Sequence, residues 1–140
     1  MSDLKFPKKK RCAKKLTASK VQEYFNAAIR RRDNCCMTAH SPCAGNLECS
    51  HFFAKGGNGS LRFYPQNCIT QCSGHHFEFH NRNPMPYVRI VEAHGKLDFM
   101  ESARRKTIKY TQEVLRTIME LCQKDRLYEL TKYIESLLDI

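Results

Sequence analysis

Cysteine and histidine crowd the middle of this chain. The run Cys72-Ser73-Gly74-His75-His76-Phe77-Glu78-Phe79-His80 constrains the fold more tightly than any hydrophobic pattern. Thiols and imidazoles at this density, with Asn67 and Ser50-His51 upstream, are what a chain needs to fold around metal donors. Cys72 and His75 have the two-residue gap of a zinc half-site, which lets a turn into a helix aim both donors at one tetrahedral ion. His76 and His80 lie four apart, so on a helix they share a face and can hold a second ion together. His51 is left available as a base.

The other half of a four-donor zinc set must come from Cys35-Cys36-Met37-Thr38-Ala39-His40-Ser41-Pro42-Cys43, where no regular CxxC exists. Cys36 with Cys43 is the preferred pair, His40 is a substitute for either, and Cys35 is a spare thiol. Cys49 and Cys68 fall in strand candidates, where a small buried hydrophobe is the commoner role. Cys12 and Cys122 stand apart from the cluster. Eight Cys interleaved with six His favour metal ligation over a secreted disulfide framework.

At 140 residues and 41% hydrophobic, the chain can bury one compact core and leave tails. No apolar run approaches the roughly twenty residues of a membrane span, and the charged N-terminus lacks a signal-peptide core. The expectation is a soluble, cytoplasmic protein with reduced thiols and no membrane partner. Charge is uneven: residues 1–33 carry a net +8, residues 34–97 a net +2, and residues 98–140 balance, giving the +10 of the whole chain. The excess sits in Lys8-Lys9-Lys10-Arg11, Lys14-Lys15 and Arg30-Arg31-Arg32, clusters that neutralise phosphates and make nucleic acid the natural partner. A solvated tail that keeps the protein dispersed has the same composition.

Residues 1–16 read as a basic flexible arm. Ser19 with Gln22 makes a capping-box pattern, and Val21, Tyr24, Phe25, Ala28 and Ile29 then form an apolar stripe at helical spacing. Leu47 to Phe53 and Cys68 to Gln71 are strand candidates. Between them Gly56-Gly57-Asn58-Gly59-Ser60 lacks the Lys-Ser/Thr of a phosphate-binding loop and reads as a connection. Beyond Pro84 and Pro86, helices are predicted over Tyr87 to His94, stopped by Gly95, then over about Asp98 to Gln123 and Asp125 to Leu138. The plan is an arm at 1–16, a core with its N-terminal helix at 17–97, and a helical extension at 98–140 that braces the core or forms a dimer contact.

Each signal has a plain structural meaning as well: stripes are core, His76 and His80 can be surface histidines or His76 rather than His75 can complete the zinc set, and a four-residue His spacing arises cheaply in a His-rich segment. Together, however, a ligand pair, a spare imidazole and a carboxamide are the parts of a one-metal phosphodiesterase. In such a site the ion polarises the scissile phosphate, and a neutral His takes a proton from the attacking water.

The order His51, Asn67, Cys72-Ser73-Gly74-His75-His76 resembles the HNH, or His-Me finger, endonuclease motif. The segment from Glu48-Cys49-Ser50-His51-Phe52-Phe53 through Leu61-Arg62-Phe63 to Asn67–Cys72 is similar to phage recombination nucleases of the lambda NinG/Rap type. The resemblance covers residues 35–83 and extends loosely through Tyr87 and Gly95. It implies an α+β fold: a small zinc-stabilised ββα-metal core flanked by an N-terminal helix and C-terminal helices. It also implies His51 as general base, Asn67 orienting that ring through side chain or backbone, and His76, helped by His80, as ligand of Mg²⁺ or Mn²⁺. Cys72 and His75 would hold structural zinc, His75 replacing a more usual Cys. Ser50 stands where many members carry Asp or His as a metal ligand.

The function so implied is a metal-dependent DNA endonuclease, acting by family analogy on branched recombination intermediates in the host cytoplasm. The arm and Arg30 to Arg32 would grip the duplex backbone, Arg62 would clamp a phosphate or else form a structural salt bridge, and a homodimer would cut both strands. The alternative is a non-catalytic zinc module that binds nucleic acid. The His and Asn residues in excess of four zinc donors separate the two.

Overall fold

The computed structural model describes residues 14–138. Most of the basic arm, with Lys8, Lys9, Lys10, Arg11 and Cys12, lies outside the described residues. At the arm's inner end Leu16 is tied down: its N–H donates to the Gln112 carboxamide oxygen and its carbonyl accepts from Gln112 Nε2, each at 2.8 Å.

Helix α1 spans Ala18–Asp33. Its N-cap is Thr17, whose hydroxyl accepts from the Lys20 N–H, and not the Ser19 of the capping-box pattern. The helix has already begun at Ser19, so Gln22 is free to turn inward, where its carboxamide meets Asn26 and Arg62. The apolar stripe is the buried face: Val21, Phe25, Ala28 and Ile29 are fully enclosed. The helix ends at Asn34, a short polar residue that tolerates left-handed backbone (φ 55°), with its N–H on the Arg30 carbonyl.

Strands β1 (Leu47–His51) and β2 (Cys68–Cys72) pair antiparallel, with Leu47 opposite Cys72 and His51 opposite Cys68. The connection between them makes two short 3-10 turns, Gly59–Leu61 and Pro65–Asn67. Helix α2 (Ser73–Asn81) begins directly where β2 ends, and Cys72 is its N-cap. The fold is therefore helix-rich α+β around one small sheet.

Four more helices follow: α3 (Met85–Ala93), α4 (Leu97–Ala103), α5 (Gln112–Gln123) and α6 (Leu127–Leu138). Gly95, at φ 66°, sits just past α3 as anticipated. The single helix predicted over Asp98 to Gln123 is broken in two. Thr107, Ile108 and Thr111 are β-branched and poor at holding a helix. Their stretch gains more by packing: Ile108 is buried, and Tyr110 stacks edge-on to Phe63 at 5.2 Å and donates to the Gly59 carbonyl. Thr111 then caps α5 by accepting from the Val114 N–H.

One apolar cluster joins Val21, Phe25 and Ile29 to Leu115, Ile118 and Cys122 of α5 and to Leu130 and Ile134 of α6. At its solvent-exposed edge Arg31 bridges α1 to the end of α5, its Nε on Asp125 at 2.8 Å and its guanidinium on the Cys122 carbonyl at 3.1 Å. Among the described residues no helix is long and apolar enough to cross a membrane. If α5 shares the core as described, Ile118→Ala should cost about 2–5 kcal/mol. Urea unfolding should show this as a lower midpoint at unchanged slope. A loss below about 0.5 kcal/mol, the level of a surface change, would contradict this packing.

Candidate functional site

Three stretches of backbone meet at four donor atoms. Cys36 and Cys43 come from the loop after α1, Cys72 from the end of β2, and His75 from the first turn of α2; their ligand atoms all lie within 4.8 Å of one another. The loop is anchored at both ends. Near its start, the Met37 N–H donates to the Thr70 carbonyl at 2.9 Å and Gln71 Nε2 to the Thr38 hydroxyl at 2.7 Å. Near its end, the Ser73 and Gly74 N–H groups donate to the Asn46 and Ala44 carbonyls, both at 2.9 Å. Gly45 permits that approach: its φ is +83°, and a Cβ there would sit 2.7 Å from the Ser73 Cβ.

His75 is buried, with Nδ1 3.1 Å from Cys72 Sγ, 3.3 Å from Cys36 Sγ and 3.7 Å from Cys43 Sγ. Ser41 Oγ lies 2.8 Å from Nε2. A proton on Nε2 satisfies that hydroxyl and leaves the Nδ1 lone pair facing the thiols. Zinc binds sulfur at about 2.3 Å and imidazole at about 2.0–2.1 Å, so tetrahedral donors stand roughly 3.5–3.8 Å apart. Two of the three sulfur–nitrogen spacings are a few tenths of an ångström shorter than this and would open around an ion; three sulfurs with one imidazole make a structural donor set able to hold a metal such as zinc.

Burial opposes ionisation of Cys72, but N–H groups of His75 and Ala44 donate to its sulfur and bring its pKa below the usual thiol value. Cys43 moves the other way, pushed up to about 11 by desolvation and the neighbouring Cys72 and Cys36 thiols. A cation at the centre is what allows all three to be thiolates together. His40 stands beside this set. Its Nδ1 is 2.6 Å from the Thr38 carbonyl, its Nε2 3.4 Å from a Glu78 oxygen, and its ring 4.8 Å from that of His75. Cys35 is an exposed free thiol.

One residue beyond His75, the chain faces a different space. A hollow of about 220 Å³ is lined by Asn26, Cys49, His51, Ala54, Lys55, His76 and His80. His76 and His80 face each other, Nε2 to Nε2, at 3.1 Å, and His76 Nδ1 is 3.3 Å from a Glu48 oxygen. The carboxylate favours a proton on Nδ1 and so offers the Nε2 lone pair to a cation shared with His80. Burial, followed by the charge of His76, lowers the pKa of His80. No spacing in the sequence gives Glu48 this role, since it lies 28 residues from His76 and meets it only across the β1–α2 junction.

His51 Nε2 lies 3.0 Å from the Arg62 carbonyl, which can only accept, so Nε2 carries the proton and Nδ1 is the basic nitrogen. Desolvation holds this ring below the ordinary histidine value, with Lys55, Arg62 and His76 adding to the effect and the Arg62 carbonyl opposing it. His51 is thus neutral at neutral pH and able to accept a proton.

Asn67 does not reach that ring. It is fully buried: Oδ1 accepts from the Phe53 N–H at 2.9 Å, and Nδ2 donates to the Phe53 carbonyl at 3.0 Å and the Leu61 carbonyl at 3.3 Å. It therefore acts on His51 at one remove, tying the chain two residues beyond His51, at Phe53, to the Leu61 carbonyl just before Arg62. Tyr87 reinforces this from α3, its hydroxyl directed at the Ser50 carbonyl (2.8 Å) and the Asn67 carbonyl (3.1 Å). Ser50 is turned into the core by strand alternation, and its hydroxyl has no partner there among the described residues. The position at which the resemblance implied a missing metal ligand is thus not in the hollow.

The arginines expected to grip a duplex are largely committed to the fold. Arg32 bonds Asp33 and the Pro65 and Cys68 carbonyls, Arg31 is taken up by Asp125 and Cys122, and Arg30 is half-buried. Arg62, the proposed clamp, has Nε on Gln22 at 2.8 Å and its guanidinium over the Phe63 ring. Lys55 is the exposed cation that lines the hollow, a position composition had no means of indicating.

The model of the family described as Bacteriophage Lambda NinG protein matches residues 2–132, most of the chain. No curated protein matches it, and no solved structure does.

Two outcomes follow from the geometry. Elemental analysis of the purified protein should give one zinc per chain, and Cys72→Ser or His75→Ala should release it; full zinc retention by both variants would overturn the donor set. Asn67→Ala leaves one N–H and two carbonyls without their partner, and should lower stability by about 2–4 kcal/mol in chemical denaturation. A change within about 0.5 kcal/mol would mean that this carboxamide does not hold the loop.

Proposed function

The chain belongs to the bacteriophage lambda NinG family, and from its hollow we propose that it is a metal-dependent DNA endonuclease of the HNH, or His-Me finger, type. The observation that carries this reading is the convergence of His51, His76 and His80 on one cavity of about 220 Å³, beside but separate from the thiol cluster. In this reading β1, β2 and α2 form a ββα-metal finger: His51 ends its first strand, the Cys/His cluster anchors its helix, and the helix presents the second donor pair.

Mg²⁺ or Mn²⁺ held by His76 and His80 would polarise the scissile phosphate and stabilise the departing oxyanion. The chain's own part is proton transfer and positioning. His51 Nδ1 takes a proton from the attacking water while the Arg62 carbonyl holds the opposite edge of the ring. Glu48 keeps His76 in the tautomer that presents Nε2. Lys55 receives a backbone phosphate at the rim, and the arm with Lys8, Lys9, Lys10 and Arg11 adds sequence-independent affinity. Branched recombination intermediates as substrate, and a homodimer to cut both strands, complete the proposal by family analogy. A zinc module that only binds nucleic acid accounts for four donors and leaves the three converging imidazoles and Glu48 without a role.

Under this reading His51→Ala abolishes Mg²⁺-dependent nicking of plasmid DNA while sparing DNA binding and the folded state. Undiminished cleavage by a contaminant-free preparation of that variant would end the proposal. Because desolvation lowers the pKa of His51, the neutral base persists below pH 6.5, and the acid limb of kcat/KM should fall below that value. Lys55→Ala should raise KM and flatten its salt dependence with little change in kcat. An unaltered KM would remove Lys55 from the phosphate contact.

A further inference from the structure

By sequence, Cys49 and Cys68 are two small hydrophobes, but the sheet arranges them around His51. Cys49 lies two residues before His51 on the same face of β1, and Cys68 is the register partner of His51 on β2. The two sulfurs and a ring nitrogen of His51 all lie within 4.8 Å of one another. Both thiols are free. Cys49 is half-buried and lines the hollow, which provides an entry path, while Cys68 is buried behind it.

We propose that Cys49, His51 and Cys68 form a second soft-metal site, distinct from the Cys36–His75 cluster, at which a zinc-class ion captures His51 and switches cleavage off. The effect on cleavage rests on the nuclease reading above; the binding itself does not. Softness separates the two ions of the hollow. Sulfur donors select Zn²⁺, Cd²⁺ or Cu⁺ and have little affinity for Mg²⁺, whereas the His76–His80–Glu48 group carries no sulfur. His51 Nε2 is committed to the Arg62 carbonyl, so the ion takes Nδ1, the nitrogen that otherwise accepts the proton from water. A divalent ion entering this site displaces one proton from each thiol to solvent. The product, two thiolates and a neutral imidazole around M²⁺, carries no net charge, which suits so enclosed a position. The fourth position opens into the hollow.

The test uses the full-length protein saturated with Cd²⁺, counting thiolate-bound cadmium by sulfur-to-cadmium charge-transfer absorbance. Wild type should bind two equivalents, and Cys49→Ser and Cys68→Ser one each. One equivalent in wild type, or two in both variants, overturns the site. Should Cys68→Ser fail to fold by circular dichroism, the half-buried Cys49 decides alone, joined by alkylation of wild type: the second equivalent should protect Cys49 from iodoacetamide. In parallel, excess Zn²⁺ should inhibit nicking by wild type, and Cys49→Ser, measured against its own zinc-free rate, should need at least about tenfold more. Equal sensitivity overturns the switch. If no preparation cleaves DNA at all, the nuclease reading fails while the cadmium count still decides the site.

Discussion

The junction at Cys36, Cys43, Cys72 and His75 is where a loop, a strand end and a helix start are brought together, and the remaining geometry depends on it. A two-stranded sheet and a nine-residue helix are each marginal alone in water. Here the sheet runs into the helix without a linker, and the loop from α1 is bonded to both. A metal such as zinc held by these donors would turn three weakly stable pieces into one unit. It would also set the rotation of α2. Residues advance about 100° around a helix, so once His75 is turned into the cluster, His76 and His80 must face elsewhere. The direction in which they face is toward His51.

The two donor groups differ in chemistry as well as position. The cluster is sulfur-rich and its histidine is buried, conditions for a permanent ion. The hollow is half-open, presents imidazole nitrogen with the Glu48 carboxylate bonded behind His76, and lowers the pKa of His51 by burial. Only a few residues of backbone separate them, so one short helix carries an anchoring face and a reactive face. The exception is the pair of sulfurs behind His51, which brings soft-donor character to the edge of the hollow.

Positioning of His51 is distributed through the molecule. Its ring is held by the Arg62 carbonyl, and Asn67 ties Leu61, just before that carbonyl, to Phe53, just beyond His51. Tyr87 ties Asn67 to the strand, and Phe25 of α1 packs 6.0 Å from the imidazole. α1 in turn shares its apolar face with α5 and α6. The C-terminal helices therefore support the hollow through the core without contributing a side chain to it. The arginines at the end of α1 serve the same end, since Arg31 and Arg32 join α1 to the α5 turn and to β2.

The amino-acid sequence on its own determined whatever depends on short separations. The α1 stripe, both strands, the Gly95 stop, the Cys72–His75 gap and the His76–His80 pair all follow from periods of two to four residues along one element. Helix ends were less legible, because Thr17 and Ser19 are both competent caps and the break at Thr107 to Thr111 depends on Ile108 and Tyr110 finding partners far along the chain. Only the tertiary structure decided which cations remain exposed, that Glu48 meets His76, that Ser50 turns inward, and that two thiols flank His51. Those outcomes depend on strand register and loop closure, which bring together residues tens of positions apart. No local spacing rule reaches that far.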